Sequence, residues 1–208
     1  MEKNNQDPEI ETQTTILPAA KSVEIVADEE KPKKKGVLRD LLETILLALI
    51  IFVVLNAITS RVKVFNVSMQ PTLKEGDLLL VNKLAYKLGE PHHGDIIVFH
   101  YQGNKQEDYI KRVIGLPGDL VEIQAGVVRI NGQAITEPYI MDLPTYNGTW
   151  QVEDGELFVL GDNRNHSSDS HQWGSVKLDW VVGKALLVYW PLDKISLLSV
   201  PNLVRANP

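Results

Sequence analysis

The chain has 208 residues, a formal net charge of -6 and no cysteine. That length allows one domain with an anchor or a tail and excludes several domains. The lack of cysteine excludes disulfides, thiolate-bound zinc and a thiol nucleophile, so apolar burial must hold the fold together.

Residues 1–30 carry eight acidic side chains against Lys3 and Lys21, which accounts for the whole net charge. The body of the chain is therefore neutral as a set, and nucleic acid is not expected as a partner, because phosphate binding needs clustered Lys and Arg. Polar, acidic and without aromatics, residues 1–30 are expected to form a disordered cytoplasmic tail.

Residues 31–60 read as a basic flank and a transmembrane helix. Lys31, Lys33, Lys34, Lys35 and Arg39 precede an apolar run from Leu41 to Ile58, whose centre, Ile45 to Leu55, carries no charge. At 1.5 Å per residue this run makes about 27 Å of helix, close to the hydrocarbon thickness of a bilayer. A buried core helix would be amphipathic, whereas this one is apolar all round. A cleaved signal peptide would have a shorter apolar stretch and no long acidic tail before it. The excess of basic residues before the run, against Arg61 and Lys63 after it, places the N-terminus in the cytoplasm and the rest outside.

Residues 61–208 read as an extracytoplasmic, mostly antiparallel β domain, built from short β-branched and aliphatic runs bounded by Gly, Pro, Asn and Asp. Strands are expected at 62–67, 77–82, 95–100, 109–115, 120–124, 127–130, 157–161 and 183–190. Asn131-Gly132 signals a hairpin turn, since both residues tolerate positive φ. Helical turns are expected only within 81–88 and 178–182.

Two residues stand out chemically. Ser68 lies ten residues after Ile58, the last apolar residue of the membrane-length run, and Lys111 lies in the middle of an apolar strand. A serine hydroxyl is a weak nucleophile until a base takes its proton. A Ser-His-Asp triad stays open at this point, because the fold assembles such triads, but the five histidines sit in turns, at a strand end and in a polar loop. No histidine pair has the helical spacing of a zinc site. Lysine serves as a base only when neutral, so its ordinary pKa of about 10.4 must fall by several units. In a strand over 109–114, Lys111 shares a face with Tyr109 and Val113, with no carboxylate there, while Ile110, Arg112 and Ile114 take the other. Either Lys111 and Arg112 reach along a surface strand to solvent, or Lys111 is desolvated and available as a base.

Four stretches resemble, in order, the catalytic-domain boxes of bacterial type I signal peptidases. They are Ser68-Met69-Gln70-Pro71-Thr72, Gly94 to Phe99, Tyr109 to Asp119, and Gly161-Asp162-Asn163-Arg164-Asn165-His166-Ser167-Ser168-Asp169-Ser170. The resemblance implies a mainly β, signal-peptidase/repressor-protease-like catalytic domain behind one transmembrane helix. It implies a membrane-bound serine endopeptidase that removes N-terminal signal peptides from exported preproteins after small residues of Ala-X-Ala type. No metal or other cofactor is implied, and the partners would be signal peptides, the lipid bilayer and the protein-export machinery. Carried over by residue, Ser68 would be the nucleophile, Lys111 the general base, Ser167 the hydroxyl that orients the amine and Asp169 a structural carboxylate. Asp162, Asn163 and Arg164 would support the pair, and Val64, Phe65, Tyr109 and Ile110 would line the shallow pockets for small side chains.

Two positions depart from the pattern. Asn66 stands where the family often has serine or glycine; its amide can donate to an oxyanion, with the Ser68 N–H as second donor. His171 replaces the usual arginine after Asp169-Ser170, which would weaken the ion pair or make it pH-dependent. Two rivals share some of these features. A self-cleaving Ser-Lys repressor protease has the same pair but is disfavoured by the membrane helix. A membrane-tethered β module that binds peptides without cutting them would use Ser68 as a turn residue and Lys111 structurally.

Overall fold

The computed structural model describes residues 36–101 and 106–198. The acidic tail and the lysines of the basic flank lie outside these residues. The chain divides inside its first helix into two units, Met1–Glu43 and Thr44–Pro208, and every strand belongs to the second.

Helix α1 (Val37–Ile58) has 22 residues and none is buried. Among the described residues it is the one helix long and apolar enough to cross a membrane. It begins four residues before Leu41, where Val37 and Leu38 extend the apolar run and Arg39 Nε donates to Glu43 at 2.9 Å, one turn on. Its last carbonyls are satisfied from outside the helix: Ile58 O accepts from Lys83 N at 3.0 Å and Asn56 O from Lys83 Nζ at 3.2 Å.

All strand pairs are antiparallel. The larger sheet runs in the order β1 (Thr59–Lys63), β2 (Leu78–Asn82), β11 (Val181–Trp190), β3 (Ile96–His100), β4 (Asp108–Gly115), β9 (Glu156–Leu160), β10 (Val176–Lys177), with β12 (Ser196–Leu197) added on β11. The smaller runs β7 (Gln133–Ala134), β6 (Val127–Ile130), β5 (Leu120–Gln124), β8 (Gly148–Gln151). Asn131 and Gly132 both take positive φ, 52° and 78°, and join β6 to β7 as the turn chemistry requires. The helices of the β domain are single turns, α2 (Ala85–Leu88) and α3 (Ser170–Trp173).

The first strand is displaced from its expected position. The sequence pattern places it at 62–67, but it occupies Thr59–Lys63, directly after α1. Val64 keeps two bonds, its N–H to Asp77 O at 2.9 Å and its carbonyl from Gly76 N at 2.9 Å, and the chain then leaves the sheet. The helical turns expected within 81–88 and 178–182 shrink to α2 and to a 3-10 turn at Leu178–Trp180, because β2 and β11 claim the β-branched residues on either side.

Strands β3 and β4 are central and covered on both faces. Val98 packs with Val64, Met69, Leu73 and Val81, while its neighbour Ile97 packs with Phe99, Val113 and Val159. This is why β3 reads as a continuous apolar run without alternation, while β4 buries Lys111 and Arg112 among its apolar residues. A third cluster, built on Ile114, Val121, Ile123 and Phe158, joins the two sheets. Gly115 lies where they meet, and a Cβ there would come 2.6 Å from Val121 and 2.9 Å from Val152.

Candidate active site

Ser68 is carried on a short turn after β1. Gln70 N donates to Val67 O at 3.1 Å and Leu73 N to Met69 O at 2.9 Å, and the buried side chains of Met69 and Leu73 pin this turn to the core. The turn is also tied to the loop after β9, since Asn163 N donates to Ser68 O at 3.0 Å and Asn163 Nδ2 to Val67 O at 3.2 Å.

Lys111 lies in β4 opposite Ile97 of β3 and is only 2% exposed. Its Nζ donates to Ser68 Oγ at 2.8 Å, across 43 residues of sequence. Burial lowers its pKa to about 8, although the carboxylates of Asp169 and Asp162 both act to raise it. Strand alternation placed no carboxylate beside Lys111; the loop after β9 brings these two. Each is already engaged elsewhere, so the amine loses water without gaining a salt bridge.

Asp162 accepts from Arg112 twice, from Nε at 2.7 Å and from Nη2 at 2.6 Å, and from Thr72 Oγ1 at 2.5 Å. Arg112 therefore reaches no solvent; Gly94 O takes its Nη1 at 2.8 Å and Tyr139 lies 3.9 Å beneath the guanidinium. Asp169 is fully buried, and its oxygens accept from Gly161 N at 2.9 Å, His171 N at 3.3 Å and His171 Nδ1 at 2.6 Å. A neutral imidazole with its proton on Nδ1 also donates to that carboxylate, more weakly than a charged one, so the contact can form without a charged histidine. The His171 ring also stacks on Tyr146, with centroids 3.8 Å apart.

Ser167 Oγ is buried without a hydrogen-bond partner among the described residues. Gly161 explains how it fits: a Cβ there would meet the Ser167 side chain and come 2.5 Å from Ser68 O. Only glycine lets the loop close over the Ser68 backbone. Asn66 holds Ser68 from the other side, its Oδ1 accepting from Ser68 N at 3.2 Å and Ser68 Oγ at 2.8 Å. The oxygen is fixed in that place because an N–H can only donate. Both Ser68 donors are thus occupied by the Asn66 carbonyl in this state.

The hydrogen-bond partners of Ser68 Oγ are Lys111 and Asn66, and no histidine is among them. His93 meets Asp119 at 2.7 Å, His100 meets Asp108 at 3.0 Å and His166 meets Asn163 at 3.2 Å.

A cleft of about 470 Å³ is lined by Arg61, Val62, Lys63 and Phe65 on one wall and residues 106–109 on the other, and neither Ser68 nor Lys111 lines it. Phe65 is 74% exposed at its rim, and Tyr109 connects it to the pair, with Lys111 Nζ 6.0 Å from the ring centroid. Ile110 is half-buried against the core, and Val64 is turned into the core outright. A second cavity of about 450 Å³ lies at the end of α1, lined by Ala57, Lys83, Tyr86, Lys87 and Asp179 among others, and holds none of the groups just described.

Several supporting residues escape the sequence reading, namely Thr72 as a carboxylate donor, Glu137 and Tyr139. No local signal marked them, because the need for a carboxylate at Glu137 follows from the burial of Arg164, which only the fold shows.

The family described as "Signal peptidase, peptidase S26" matches residues 38–190. A signal peptidase I from Leptolyngbya laminosa is 38% identical over 180 residues, covering 82% of this chain and 89% of that one. One from Bacillus caldolyticus is 43% identical over 144 residues, covering 62% and 78%. Signal peptidase IB from Staphylococcus aureus is 36% identical over 186 residues, covering 78% and 94%. With the family match spanning most of the chain and both sheets, this protein belongs to the peptidase S26 signal peptidases and is a serine endopeptidase.

Proposed function

We propose that Ser68 and Lys111 form the catalytic pair and that the enzyme cuts signal peptides from exported preproteins after small residues of Ala-X-Ala type. One observation carries the reading: a buried lysine amine stands 2.8 Å from a serine hydroxyl, with its pKa lowered to about 8. At pH 7 about one such lysine in ten is neutral, against fewer than about one in a thousand at its ordinary pKa.

In this reading Ser68 Oγ attacks the scissile carbonyl carbon while neutral Lys111 Nζ takes the hydroxyl proton. The tetrahedral oxyanion collapses, the C–N bond breaks, and Lys111 returns the proton to the leaving amine. That amine is the new N-terminus of the mature protein; a water then loses a proton to Lys111 and attacks the acyl-Ser68 ester, releasing the signal peptide as a carboxylate while Lys111 returns the proton to Ser68 Oγ. The unpartnered Ser167 Oγ is suited to hold the lysine amine on line. For oxyanion binding, rotation of the Asn66 amide would release the Ser68 N–H and turn Nδ2 toward the substrate, giving two donors. The cleft between β1 and residues 106–109 is suited to an extended peptide, since β1 pairs on one side only. The apolar α1 anchors the enzyme in a membrane, with the β domain outside and the N-terminus in the cytoplasm, within reach of the export machinery.

Activity should fall as pH drops below about 8, approaching tenfold per pH unit, because protonated Lys111 accepts nothing. A rate of preprotein cleavage that stays flat from pH 5 to 9 would contradict a neutral lysine base. For Asn66→Ala, turnover is expected to drop about 10²- to 10³-fold, and Asn66→Asp should do no better, since a carboxylate holds Ser68 but cannot donate to an oxyanion. Wild-type turnover in both variants would assign the oxyanion to backbone donors alone.

A further inference from the structure

The segment between β7 and β8 lies outside every motif used so far, yet it grips the loop after β9 at three successive points. Glu137 accepts from Arg164 through both oxygens, Nη1 to Oε2 at 2.8 Å and Nη2 to Oε1. Asn165 is held at both ends of its amide, Oδ1 accepting from Thr145 N at 2.9 Å and Nδ2 donating to Leu143 O at 3.0 Å. Tyr146 stacks on His171, the residue that meets Asp169.

Glu137 is the hinge of this arrangement. Its side chain is 5% exposed and that of Arg164 fully buried, so the guanidinium has to sit where the carboxylate is. Arg164 Nε then donates to Gly161 O at 3.1 Å, and Gly161 is the residue packed against Ser68 O and Ser167. Glu137 Oε1 also accepts from Tyr139 OH at 2.7 Å, and the Tyr139 ring supports Arg112, which clamps Asp162. One line of contacts ends at the nucleophile's turn and the other at a carboxylate that acts on Lys111.

We infer that Glu137, with Tyr139 as its partner, is a positioning residue for the reaction, locking the Gly161–Asp169 stretch in the geometry that aligns Ser68 with Lys111. The inference rests on the Ser68–Lys111 reading. A purely structural role would look different: the variants would melt earlier, but the folded enzyme would turn over at the normal rate.

The test measures kcat and KM per folded enzyme on a preprotein with an Ala-X-Ala site, using full-length protein in detergent well below each variant's melting temperature. Glu137→Ala should lower kcat about 10- to 100-fold with KM within about twofold, the size expected for a small misplacement of reacting groups. Glu137→Gln should recover part of that loss, because its amide oxygen still accepts from Arg164, and Tyr139→Phe should lose about threefold. Glu137→Gln and Tyr139→Phe are near-isosteric and keep the fold testable if the alanine variant fails to fold. A kcat within about twofold of wild type in both, or a loss confined to KM, would overturn the inference. Ser68→Ala is assayed in parallel; if it cleaves like wild type, the fault lies with the dyad reading and not with Glu137 alone.

Discussion

Replacing Lys111 by methionine is expected to abolish preprotein cleavage, by about 10³- to 10⁶-fold, and at the same time to stabilise the protein. The two effects share one cause. A lysine held 2% exposed with its pKa at about 8 resists the proton that the unfolded chain binds readily. Since the folded pKa lies below the unfolded one, the folded state is the poorer proton binder. The penalty is full below pH 8 and fades as pH rises toward the ordinary lysine pKa of about 10.4. At pH 7 it amounts to about 3 kcal/mol, so Lys111→Met, which fills the same space without charge, should gain about 1–3 kcal/mol in denaturant unfolding. Ser68→Ala should be as inactive as Lys111→Met while leaving stability within about 1 kcal/mol of wild type. Lys111→Arg should also be inactive, because a guanidinium does not deprotonate near neutral pH. A Lys111→Met protein that is clearly less stable than wild type would mean that the lysine is retained for the fold rather than for chemistry.

The second large effect is on stability. Asp162→Ala strips Arg112 of two hydrogen bonds and Thr72 of one, leaving a guanidinium 2% exposed with no carboxylate bonded to it and only Gly94 O, a long contact to Thr72 Oγ1 and the Tyr139 ring beside it. Removing one partner of a buried pair costs about 3–5 kcal/mol, which for a domain of this size lowers the melting temperature by about 10–20 °C. Asp162→Ala with Arg112→Leu should recover much of that loss, because no unpaired charge remains, yet stay poorly active, since the loop behind Ser68 has lost its clamp. Calorimetry of the two variants decides it. A loss under about 1 kcal/mol in the single variant would show that water reaches Arg112 and that the clamp is weak.

Much of this architecture was legible in the chain because it is locally encoded. The membrane-length helix follows from one uninterrupted apolar run, and β5 and β6 match their expected bounds because alternation and Asn131-Gly132 specify strand and turn together. The central strand β3 was readable for another reason: buried on both faces, it carries apolar residues at every position but the last, and β4 was marked by the apolar residues on either side of Lys111 and Arg112. What eluded the sequence depends on tertiary partners. β1 moves toward the membrane helix because it pairs residue for residue with β2, from Thr59 opposite Asn82 to Lys63 opposite Leu78, and periodicity does not register that pairing. β8, Gly148–Gln151, has no apolar alternation of its own and is a strand because β5 offers it an edge.

The site divides in the same way. Ser68 and Lys111 could be singled out as residue types in unusual surroundings, and the structure brings them to hydrogen-bonding distance. The electrostatics around them could not be read locally. Alternation along β4 leaves Lys111 without an acidic neighbour, whereas Asp162 and Asp169 arrive from a loop some fifty residues on. Asn66 could be named as a polar group beside the nucleophile, but not that its oxygen, rather than its nitrogen, faces Ser68. Glu137 carried no motif, and its importance emerges only once two buried arginines compete for carboxylates.

The central claim is that a Ser68–Lys111 pair cuts preproteins at a defined peptide bond. The most direct measurement incubates the detergent-solubilised full-length protein with a preprotein bearing an Ala-X-Ala site and determines the new N-terminus of the product, with Ser68→Ala and Lys111→Met in parallel. Wild type should make a single cut immediately after the second alanine, and either variant should leave the preprotein intact. Cleavage by either variant at the wild-type rate, or a wild-type product whose N-terminus lies elsewhere, would contradict it.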